Sequence, residues 1–85
     1  MEAIGTILNK NGRPIAIFQV QPYVLQNKNE ETHYYSQLRK TFTHIPIVLI
    51  SKIENELVFA GEEQAIALVK GEPLDQLAWK RYIHL

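Results

Sequence analysis

AIGTILNKNGRPIAIFQV, residues 3–20, decides how this chain folds. Two runs rich in β-branched and aromatic residues flank Asn11-Gly12, a dipeptide suited to a type I′ turn because both of its central residues need positive φ. Centring the turn there pairs Lys10 with Arg13, Asn9 with Pro14, Leu8 with Ile15 and Thr6 with Ile17. Asn9 and Pro14 then form a non-hydrogen-bonded pair, so Pro14 withholds no bond from its partner strand. One face of this hairpin carries Ile4, Thr6, Leu8, Ile15, Ile17 and Gln19; the other carries Ala3, Gly5, Ile7, Ala16, Phe18 and Val20. Neither shows the polar alternation of a strand with one side in water.

Outward from the hairpin, Pro22 ends the second strand and QNKNEE supplies loop residues. A helix opens with Asn27 as N-cap and Glu30 three places on. Tyr34, Tyr35, Leu38 and Phe42 fall on one stripe of it, Arg39 and Lys40 suit its negative end, and Pro46 bars extension much past Thr43. IPIVLISKIENELVFAG (45–61) predicts a second hairpin turning near Glu54 and Asn55, and the two-sided apolar run IPIVLI predicts a central strand. EEQAIALVKG (62–71) is a short helix with acids first, Lys70 last and Gly71 as terminator. LAWKRYIHL (77–85) reads as a turn and then a final strand. The order ββα-ββα-β places residues 1–85 in one α+β domain: a small antiparallel sheet of four or five strands with helices mainly on one face.

Nine basic and nine acidic residues give a formal net charge of zero. That argues against nonspecific binding to nucleic acid or anionic lipid, which depends on surplus Lys and Arg. With no cysteine, disulfides, thiolate zinc sites and cysteine nucleophiles are excluded, and the composition fits the cytoplasm. MEAIGTILNK has an acidic second residue and no basic start, unlike a signal peptide. The longest apolar run, IPIVLI, falls far short of the about 20 residues a membrane span needs.

THYYSQLRK (32–40) gathers a histidine, two tyrosines, an arginine and a lysine, yet spacing fixes no acid or base partner among them. An ordinary amphipathic helix accounts for it. On one continuous helix His33 and His44 would lie ~16 Å apart, too far to share a metal, and His84 meets either only through tertiary contact. Neither Ser36 nor Ser51 stands in GxSxG, the four glycines are scattered, and the pairs Glu30-Glu31 and Glu62-Glu63 suit helix starts. No catalytic residue, metal site or cofactor is expected, and an enzyme using His33 and Tyr34 is the weakest of three readings.

NKNGRPIAI (9–17) resembles the hairpin of small bacterial antitoxins of the Phd/YefM type, with basic residues about a glycine turn, then a proline and an apolar strand. Those antitoxins carry a helix before the hairpin. Turn chemistry alone explains the same residues here, and no function is carried over.

WKRYIH (79–84) interleaves aromatic and basic side chains, as single-strand binders do. A nucleic-acid-associated regulator using Trp79, Lys80, Arg81 and Tyr82 is therefore the alternative reading. The leading one is a non-enzymatic protein-interaction module that self-associates as a dimer, with Phe18, Val20, Trp79, Lys80, Arg81 and Tyr82 as its interaction surface. Two helices cover one face of a sheet that is apolar on both. A second chain, or the segment from Leu74 folding back, must cover the other.

Overall fold

The computed structural model describes residues 2–83 and 85. The first hairpin forms as β1 (Ala3–Lys10) and β2 (Arg13–Gln19), with the register that the turn dictates, Lys10 opposite Arg13 through Thr6 opposite Ile17. Asn11 has φ 54° and Gly12 φ 79°, the paired left-handed residues of a type I′ turn. Gly5 sits opposite Phe18, and a Cβ at Gly5 would meet that ring at 2.5 Å. The missing side chain is thus the space the phenyl ring occupies.

A short helix, α1 (Pro22–Gln26), stands where the sequence reads as loop. Pro22 opens it at the first turn, where an absent N–H and a fixed φ cost nothing. Next comes α2 (Lys28–Thr41), whose cap is as expected: Asn27 Oδ1 accepts from the N–H of Asn29 at 3.0 Å and of Glu30 at 3.3 Å. The second hairpin is β3 (Ile47–Ile53) and β4 (Glu56–Gly61), turning at Glu54 (φ 51°) and Asn55 (φ 66°). It leads into α3 (Glu63–Lys70), a single 3₁₀ turn at Leu74–Gln76, and β5 (Lys80–Tyr82).

The five strands form one sheet in the order β4-β3-β2-β1-β5. One expectation needs correction. The sheet is mixed rather than antiparallel, because β2 and β3 pair in parallel, Ala16 beside Ile47 through Gln19 beside Ile50. Between them α1 and α2 carry the chain back, and a helical crossover delivers the next strand in the same direction. Two of the three helices lie on one face, and α3 lies on the other. On the first face α1 and α2 bring Val24 and Leu38 onto Ala16, Phe18, Ile47 and Leu49. On the second, α3 brings Ala65 and Val69 onto Ile15, Ile17, Val48 and Ile50, and Leu74, Leu77 and Trp79 extend that cover. Strands apolar on both sides demand two layers of cover, and the chain supplies both. The sheet face on which a dimer was expected is covered by α3 together with Leu74, Leu77 and Trp79.

Candidate interaction surface

The six residues read as an interaction surface separate in the fold. Phe18 is 0% exposed and Val20 is 9% exposed, both inside the first core. Trp79 packs against the second core and donates its indole N–H to the Leu74 carbonyl at 2.8 Å. Tyr82 leans on Phe18 and Phe42, ring centroids 5.5 and 5.8 Å away. Only Lys80 and Arg81 stand in solvent, and Arg81 pairs with Glu2 at 3.0 Å. The aromatic and basic members of the segment do not converge on one strip, because strand alternation sends Arg81 to the face opposite Lys80 and Tyr82.

Of the helix residues that drew attention, Arg39 and Tyr35 make structural contacts. Arg39 donates to the Phe42 and Ile45 carbonyls at 3.0 and 2.7 Å and to the Tyr35 hydroxyl at 2.7 Å, binding the end of α2 to the following loop. Tyr34 is half-buried, and burial, with Tyr23 nearby, raises its phenol above the ordinary value. His33 is exposed on α2 and His44 is exposed in the loop that follows it; His84 lies outside the described residues. Among the described residues no three His, Cys, Asp or Glu side chains cluster as metal ligands, and no helix is long and apolar enough to cross a membrane.

What the strand order exposes instead is β4. It is the outermost strand beside β3, six residues long, with neither proline nor lysine to blunt it. The opposite edge is guarded: β5 has three residues, two of them Lys80 and Arg81. In the β3–β4 hairpin the pair next to the turn, Ile53 and Glu56, is hydrogen-bonded, and the pattern alternates from there. Val58 and Ala60 therefore turn their backbone groups to β3, while Leu57, Phe59 and Gly61 turn theirs outward. Leu57 is 50% exposed at this edge. A groove flanks the edge on each side. Toward α2 it holds about 310 Å³ beside Thr32, Tyr35, Ser36 and Ala60; toward α3 it holds about 520 Å³ among Leu57, Phe59, Glu63, Ile66, Ala67 and Lys70. A larger hollow of about 580 Å³ lies at the carboxyl end of β2, among Gln19, Gln21, Tyr23, Tyr34 and Arg81. Its two charged members, Glu2 and Arg81, pair with each other.

This edge was not found from sequence. ELVFAG was read as a strand, but which strand lies outermost depends on pairings between distant segments. No protein-family model matches the chain, and no curated protein or solved structure matches it significantly.

Proposed function

We propose that this chain is a small non-enzymatic protein-interaction module whose binding element is the open edge of β4, to which an extended strand adds. The observation that carries the reading is the outward row of Leu57, Phe59 and Gly61 on an unblunted strand with a groove at either side. Main-chain bonds to such a row supply affinity, and side chains entering the flanking grooves supply selectivity. The cysteine-free composition accords with the cytoplasm as its compartment.

The test is a synthetic peptide of the β4 sequence, flanked by lysines for solubility, titrated into the isotope-labelled protein. The amides of Leu57, Phe59 and Gly61 should shift or broaden, with those of Val58 and Ala60 moving less. Perturbation confined to other parts of the molecule, or none from peptide in large excess over the protein, refutes the edge as the binding element.

A further inference from the structure

Resting on that reading of β4, we infer that the strand that adds is β4 of a second copy of this chain, related by a two-fold axis perpendicular to the sheet and passing beside Phe59. Such an axis makes the two β4 strands antiparallel and joins the two sheets into one. Phe59 then faces Phe59 of the second copy and Leu57 faces Gly61, so every outward N–H and C=O finds a partner, in about six inter-chain bonds. The exposed Leu57 side chain lies opposite a residue with no side chain to obstruct it.

The helices give independent support. Strands lie about 4.8 Å apart, so an axis between the two β4 strands runs about 2.4 Å from each. α3 packs over β3 and β4 and reaches Ile15 and Ile17 of β2, which puts it about 5–7 Å from that axis. Its symmetry mate is then about 10–14 Å away, near enough for their facing side chains to meet, and the axis makes the two antiparallel. The edge-facing stripe of α3 reads Glu63, Ile66, Ala67, Lys70, and it lines the groove beside β4. Antiparallel, this stripe is self-complementary: Glu63 meets Lys70 of the second copy at both ends, with Ile66 and Ala67 between. Among the described residues neither Glu63 nor Lys70 has an ion-pair partner within its own chain. Lys70 lies over the Phe59 ring at 5.6 Å, which holds it at this edge. On the other face Glu56 comes opposite Glu62 of the second copy, a like-charge pair that opposes association.

Light scattering behind a sizing column, with the intact chain at ~100 μM, should give twice the monomer mass, since interfaces of standard size hold well below that concentration. Glu63→Lys and Lys70→Glu should each weaken dimerisation by about tenfold or more, because each places like charges together at both ends of the helix contact. Mixed in equal amounts, the two variants should associate again, since a heterodimer restores opposite charges at both ends. Glu56→Lys should tighten the dimer by several-fold. A wild-type monomer at ~100 μM, or variants that do not rescue one another, overturns the two-fold dimer. If the β4 peptide still shifts the edge amides in that case, the edge-binding reading stands and only the choice of occupant falls. Circular dichroism of each variant separates loss of association from loss of fold.

Discussion

Gly12 holds φ at 79° in open space, so its contribution to stability is conformational and owes nothing to packing. A β-branched residue resists that region of the backbone map. Gly12→Val should therefore cost about 1–2 kcal/mol, read as a lowered thermal or urea midpoint. An unchanged midpoint would mean the turn is not held in the I′ form. Tyr34 offers a second test with a defined sign. Burial favours the neutral phenol, so its folded pKa lies above the ordinary value of 10.0. A raised pKa contributes stability that is intact below the unfolded value and is lost as pH climbs through the folded one. The urea midpoint should fall above about pH 10, and Tyr34→Phe should shallow that fall. Identical alkaline slopes in the two proteins would remove Tyr34 from the account.

Among the elements, α2 shows how local chemistry sets a boundary. Asn27 satisfies two N–H groups that the helix itself leaves unpaired, at Asn29 and Glu30. Asn27→Ala should cost about 1 kcal/mol, and amide exchange should quicken first at Asn29 and Glu30. Uniform exchange changes across the chain would point instead to global destabilisation. This cap was legible in the sequence because donor, acceptor and spacing all lie within four residues. By contrast, α1 was not. PYVLQ is a single turn and a half, and what makes it helical is Val24 docking in the first core, a tertiary contact. The element of interest for function, β4, was visible as a strand and invisible as an edge.

At the scale of the whole molecule, the second face of the sheet depends on a segment that contributes little regular structure. Leu74, Leu77 and Trp79 extend the cover begun by α3, and the Trp79 indole is tied to the Leu74 carbonyl. Trp79→Ala should cost about 3 kcal/mol, a large part of the ~5–10 kcal/mol that a domain this small commands. Because Trp79 is the only tryptophan, the measurement is urea unfolding followed by circular dichroism. A loss under about 1 kcal/mol would show that the segment merely rests on the sheet.

By itself, the sequence determined the two hairpins and the register of the first, the cap of α2, and the need for cover on both faces of the strands. Each follows from interactions within a few residues: positive φ at Asn11-Gly12, a side-chain oxygen beside free N–H groups, and alternation along a strand. Tertiary structure alone decided that β2 and β3 run parallel, that α2 and α3 take opposite faces, and that Phe18 and Val20 lie inside. It also decided that β4 is left at the rim. Those outcomes turn on which apolar surfaces meet across the chain, and hydrophobic burial has no preferred direction that a local pattern could record. ELVFAG reads alike in the middle of a sheet and at its edge, and only the positions of the other four strands distinguish the two.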